Sequence, residues 1–222
     1  MGVSYVLQWL PQPNVAPAQA EDMMRQHLVE NLGAKLIHNQ HKNEPDIWHI
    51  ECETYTAMQS VSALSGKSFQ LIHSTEEATL SFACSDQGGI IVAERSFDTI
   101  LTKLGDSYQP NKMTRIMAMG KKYEIADFSV KVGSVLLGGS ASFRCMVLEI
   151  EYRPSCYAKD AAALLHEFLS IVTATMPIAI PETLTHFADT ISGLYQLSDT
   201  IKQYVKIFSD CRRVANSMGM LA

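Results

Sequence analysis

DFSVKVGSVLL at residues 127–137 and FRCMVLEIEY at residues 143–152 stand on either side of Gly138-Gly139-Ser140. β-Branched and aromatic residues crowd both runs, and glycines mark the turn, which is the pattern of a β-hairpin. Alternation places Phe128, Val130 and Val132 on one strand face, to be packed inward. Upstream, short β-rich runs occur near Lys35–Asn39, Ile47–Tyr55, Ser68–Ser74, Thr79–Ser85 and Ile90–Ala93, broken by turn formers such as Asp86-Gln87-Gly88-Gly89. Two further strands are expected around Met113–Ala118 and Lys122–Ala126, and Val3–Trp9 opens the chain as another. Consecutive short strands imply an antiparallel meander.

Helical spacing appears around this sheet. In AEDMMRQHLVENLG, residues 20–33, Met24, His27, Leu28 and Leu32 form a stripe, and Gly33 offers a left-handed stop. Ser96 is placed to cap a short helix through Leu104, with Phe97, Ile100, Leu101 and Leu104 as its apolar side. Ala162, Leu165, His166, Leu169 and Val172 define a helix over 159–173, Pro177 and Pro181 break it, and a last helix is expected over about 185–214. The fold class is therefore α+β, a single domain over 1–222. Its antiparallel sheet is curled into a barrel-like core so that its edges are protected, with helices outside.

A chain of 222 residues with 47% hydrophobic and 18% charged residues supports one sizeable core. The net charge of −5 is opposite to the basic footprint of a nucleic-acid binder. Five scattered cysteines without a C-x-x-C pair read as reduced, mostly buried thiols of the cytosol or nucleus. MGVSYVLQWLPQP has no basic run ahead of its apolar stretch, so no signal peptide is expected; Val6 stands where N-myristoylation wants Ser or Thr. No apolar run approaches the roughly 18 residues of a membrane span, so a soluble protein is expected.

The chemistry-bearing motifs are few. G-x-S-x-G, a Walker loop, G-x-G-x-x-G and H-E-x-x-H are all absent. Gly133 and Gly138-Gly139 read as bulge and turn glycines. His49 and Cys52, three apart on a strand, point to opposite faces and do not share a metal. His166 is expected as a hydrogen-bonded core histidine, and His38 and His41 receive no role. Glu51-Cys52-Glu53 and Glu149-Ile150-Glu151 each put two carboxylates on one strand face, a set that could hold a divalent cation as in triphosphate-tunnel metalloenzymes. Those enzymes carry E-x-E-x-K, whereas Tyr55 and Arg153 occupy the lysine position here. A polar, solvent-facing strand side is the expectation, with no catalytic residue, metal or cofactor.

Eleven methionines, Trp9 and Trp48 suit either a core or an interaction surface. Cys145, Met146, Val147 and Leu148 are apolar on both strand faces. One face serves the core, and the other must be covered by the chain's own C-terminal helix or by a partner, which makes this strand the candidate partner interface.

Taken in order, CETY at 52–55, FD at 97–98, DFSVKVGSV at 127–135 and LEIEYRPSC at 148–156 resemble the Mediator subunit twenty family, a TATA-binding-protein-related head-module family. The opening MGV, LLHEFL at 164–169 and Tyr195, Asp199-Thr200, Gln203-Tyr204 and Phe208 extend the resemblance over nearly the whole chain. It departs in the proline-bearing loops at 11–17 and 174–183 and at 41–45. The resemblance implies a barrel-like fold related to that of Mediator subunit eighteen and of triphosphate-tunnel enzymes, without catalytic residues. It implies pairing with subunit eighteen and tethering to the head by the C-terminal helix of subunit eight. It further implies nuclear work with other head subunits, RNA polymerase II and the TATA-binding protein.

Overall fold

The computed structural model describes residues 2–38, 45–58, 67–85, 89–176, 178, 180, 187–191 and 193–217. His41 and much of the 41–45 and 174–183 loops lie outside the described residues.

Among the described residues nine strands form one sheet: β1 (Val3–Trp9), β2 (Lys35–Leu36), β3 (Ile47–Ala57), β4 (Ser68–Ser74), β5 (Leu80–Ser85), β6 (Ile90–Glu94), β7 (Tyr108–Ile125), β8 (Phe128–Leu137) and β9 (Ser142–Tyr152). Their order is β1-β9-β8-β7-β3-β4-β5-β6, with β2 pairing β7, and the strand pairs β1/β9, β2/β7, β3/β4, β4/β5 and β5/β6 are antiparallel. The α+β, sheet-dominated architecture is the one expected from the sequence. Among the described residues the order has two ends, β1 and β6, so the sheet is not closed into a barrel. Among the described residues four α-helices accompany it: α1 (Pro17–Gln26), α2 (Phe97–Lys103), α3 (Ala158–Thr173) and α4 (Leu197–Ser217).

Close packing divides the chain into two units. The first comprises Met1–Trp48, Met119–Ser134 and Cys145–Gln203; the second comprises His49–Ala118, Val135–Arg144 and Tyr204–Ala222. Strands β3, β7, β8 and β9 and helix α4 contribute residues to both.

In the first unit, α1 starts at Pro17, whose fixed φ suits a first helical turn, and widens into a π turn at His27–Asn31. Gly33 then ends it at φ +69°. Met24, His27 and Leu28 are buried, as their spacing predicts. Val130 and Val132 are buried, and Phe128 stacks on Phe168 of α3 with ring centres 3.9 Å apart. Gly120 does not interrupt β7, which runs through the expected gap between two strands. A Cβ on Gly120 would meet Val132 O at 1.9 Å, and one on Gly133 would meet Met119 O at 2.1 Å. Gly133 is thus a close-approach glycine. On α3 the buried stripe is Ala158, Ala161, Leu165, Leu169 and Val172, whereas His166 is exposed. It lies about 100° around the helix from Leu165, beside the stripe and not on it. Before α4, Phe187–Thr190 forms a 3-10 turn and Gly193 takes φ +88°. The last helix therefore begins at Leu197 and not near 185, and Asp199 accepts from the Gln196 N–H at 3.0 Å.

In the second unit, Ile50, Cys52, Ile72, Phe82 and Ile116 form a core with Tyr204 and Phe208 of α4. Arg212 fixes α4 by donating to Thr114 O at 3.0 Å and Gln70 Oε1 at 2.9 Å. The hairpin turn gives Gly138 φ +76°, and the Gly138 N–H bonds Arg115 O at 2.7 Å. Ser96 does not cap α2 with its side chain, and of the apolar stripe only Leu101 is buried. Asp98 anchors that helix instead, taking bonds from Ser81 at 3.1 Å and His73 at 3.1 Å and pairing with Arg95 at 2.9 Å.

Candidate functional site

The two carboxylate pairs fall in different units. In the second, strand alternation turns Ile50 and Cys52 inward and leaves His49, Glu51 and Glu53 on the opposite, half-buried face. His49 and Cys52 thus point apart. Arg115 of β7 donates to Glu51 and lies 3.8 Å from Glu53. Glu51 also stands 4.0 Å from His49 Nε2. Burial holds the His49 imidazole below its usual pKa, against the opposing pull of the Glu51 charge. A cleft of about 320 Å³ opens beside these groups, lined by His49, Glu51, His73, Thr75 and Arg95. Its charged groups already have partners: Glu51 pairs with Arg115, and Arg95 with Asp98.

In the first unit, Glu149 is not on a solvent-facing side. It is 2% exposed and accepts from Lys131 Nζ at 3.0 Å, with Lys131 itself 5% exposed. Lys131 comes from the neighbouring strand β8 and pairs with this carboxylate. Glu151 accepts from the Gly2 N–H at 2.8 Å. Among the described residues no group of three His, Cys, Asp or Glu side chains is placed to hold a metal ion.

Cys145, Met146, Val147 and Leu148 are at most 4% exposed in the chain alone. The cover that the sequence left between its own helices and a partner is thus provided internally, and this strand offers no open apolar face. Trp9 and Trp48 are likewise buried, with Trp48 Nε1 donating to Lys121 O at 3.2 Å. Four of the five cysteines are buried and all five are free thiols.

The sequence reading missed how the sheet edges are finished. At β1, Gln203 of α4 accepts from the Val6 N–H at 2.8 Å and donates to Ser4 O at 3.0 Å. Tyr195 donates to the same carbonyl at 2.8 Å, and its hydroxyl is held by Thr200 and Gln203, each at 2.9 Å. Burial pushes the Tyr195 phenol well above the usual range. The side-chain amide thus presents the donor and acceptor that a further strand would offer. The resemblance to LEIEYRPSC and to Tyr195 and Gln203 named these residues but not this contact. At β6, the far edge, Ile91 is 69% and Val92 50% exposed.

Residues 1–209 match the family described as the TATA-binding related factor (TRF) of subunit 20 of Mediator complex. The chain belongs to the Mediator subunit 20 family. It is 31% identical over 216 residues to Mediator of RNA polymerase II transcription subunit 20 of Rattus norvegicus, covering 96% of this chain and 95% of that one. The protein of the same name from Homo sapiens is 30% identical over 216 residues, with the same coverage. A chain of the Schizosaccharomyces pombe Mediator head module is 14% identical at TM-score 0.40, covering 78% of this chain and 94% of that one. An RNA triphosphatase of S. pombe is 9% identical at TM-score 0.27, over 96% and 76% of the two chains. Likenesses of this size say nothing of function.

As a Mediator subunit 20 family member, the chain is a non-catalytic Mediator subunit in transcription regulation. It associates with other Mediator subunits. The Mediator subunit 20 match takes in both carboxylate pairs and the β1 edge.

Proposed function

We propose that the chain works in the nucleus as a head-module subunit of Mediator. It pairs with subunit eighteen, is held by the C-terminal helix of subunit eight, and helps relay regulatory signals to RNA polymerase II and the TATA-binding protein. It performs no catalysis. The observation that carries this reading is the family match over residues 1–209, which takes in both units. Supporting it, the best candidate catalytic carboxylates are engaged by the chain's own bases: Glu149 by Lys131 and Glu51 by Arg115. A divalent cation would have to displace those pairs.

Tagged chain purified from nuclear extract should carry the head subunits, with subunit eighteen in equal amount; recovery without any Mediator subunit would overturn the reading. The purified chain should not hydrolyse nucleoside triphosphate with manganese. Hydrolysis that disappears when Glu51, Glu53, Glu149 and Glu151 are changed to Gln would instead establish a metal-dependent phosphohydrolase.

A further inference from the structure

The two ends of the sheet are finished differently. On β1 the outward main-chain groups of Val6 and Ser4 are taken by Gln203 and Tyr195. On β6 the register with β5 and two flanking bonds fix which groups point where. The Ser85 N–H bonds Gly89 O at 2.9 Å, and the Arg95 N–H bonds Thr79 O at 2.8 Å. By antiparallel alternation, Gly89, Ile91, Ala93 and Arg95 turn their main chain toward β5. Ile90, Val92 and Glu94 therefore turn N–H and C=O away from it, and among the described residues no strand lies beyond β6. The flanking side chains are apolar on both faces, Ile91 on one and Val92 on the other, both exposed. Soluble proteins blunt such an edge with charged side chains, proline or a bulge, and of these IIVAE carries only Glu94, at its end.

We propose that β6 is a strand-addition site, taking an extended segment of another Mediator subunit onto Ile90, Val92 and Glu94. This rests on the reading of the chain as a subunit that assembles with others. Donors and acceptors repeating at every second residue are matched by an extended peptide and not by a helix. The segment needs apolar side chains on both faces, one beside Ile91 and one beside Val92. A basic residue opposite exposed Glu94 completes it by charge.

The test reconstitutes a recombinant Mediator head lacking this subunit with the wild-type chain or with Val92→Pro. That variant removes an outward N–H while the pairing of Ile91 and Ala93 with β5 is kept. Amide exchange at Ile90, Val92 and Glu94 should slow by about tenfold or more in the assembled head relative to the free chain. Val92→Pro should weaken incorporation by about tenfold at unchanged circular dichroism. Should that variant fail to fold, the wild-type exchange comparison decides alone. A wild-type chain that enters the head with these amides exchanging as in the free state overturns the proposal and leaves the subunit reading intact. A chain that does not enter at all overturns both. A dimer of the free chain that Val92→Pro dissociates would give the edge to a second copy and overturn the proposal.

Discussion

Lys131 Nζ lies 3.0 Å from Oε1 of Glu149, and neither residue is more than 5% exposed. Two charges taken out of water this completely are costly to separate, because the survivor has no solvent to turn to. Lys131→Met alone should therefore cost about 3–5 kcal/mol in urea unfolding, while Lys131→Met with Glu149→Met should recover most of that. Additive losses in the double variant would show that the two residues act independently.

Tyr123 is fully buried, and its hydroxyl has no hydrogen-bond partner among the described residues. Burial pushes its phenol up to about 12. Above the ordinary tyrosine pKa of about 10, the unfolded chain releases this proton while the folded one keeps it. Stability should thus fall as pH climbs from about 10 toward 12, by about 1.4 kcal/mol per unit for this group. Tyr123→Phe should be as stable as wild type or more so at pH 8, and should lose less between pH 8 and 11, leaving the share due to Tyr195. Denaturant titrations at the two pH values check both.

Met146→Lys and Val147→Lys put a charge on opposite faces of β9, at positions 0% exposed. Each should prevent folding, since an unpaired ammonium in an apolar interior is beyond what a marginally stable domain tolerates. If either variant keeps its near-ultraviolet circular dichroism, that face is open to solvent.

Gln203→Ala leaves the Val6 N–H without its acceptor, while Ser4 O keeps Tyr195. A loss of about 1–3 kcal/mol is expected, together with faster hydrogen exchange at the Val6 amide. Unchanged exchange there would mean that the amide does not protect the edge.

What the sequence could show was governed by distance along the chain. The hairpin of β8 and β9 was legible because alternation and turn glycines are local signals, and Ser68–Ser74 matched its strand end to end. Gly120 misled because its reason lies across the sheet, at Val132, and not in its neighbours. Alternation correctly separated His49 from Cys52, yet it could not say that the Glu149 side of β9 is covered too, since cover comes from elements distant in sequence. Spacing alone put His166 on the helix stripe and gave Ser96 the cap of α2, whereas that helix is anchored by Asp98 through His73, Ser81 and Arg95. The edge contacts of Gln203 span 197 and 199 residues and left no local trace.

The facing glycines of β7 and β8 carry a consequence for how the chain finds its fold. A side chain on either would strike main chain: Val132 O and the Gly133 Cα from one side, Met119 O and the Gly120 Cα from the other. A β-hairpin can ordinarily slip by two residues and still bury the same face. Here such a slip would bring Ala118 or Lys122, or on the other strand Lys131 or Val135, into a gap with no room for a Cβ. The glycine pair therefore works as a proofreading key, rejecting misaligned pairings of β7 and β8 by steric refusal.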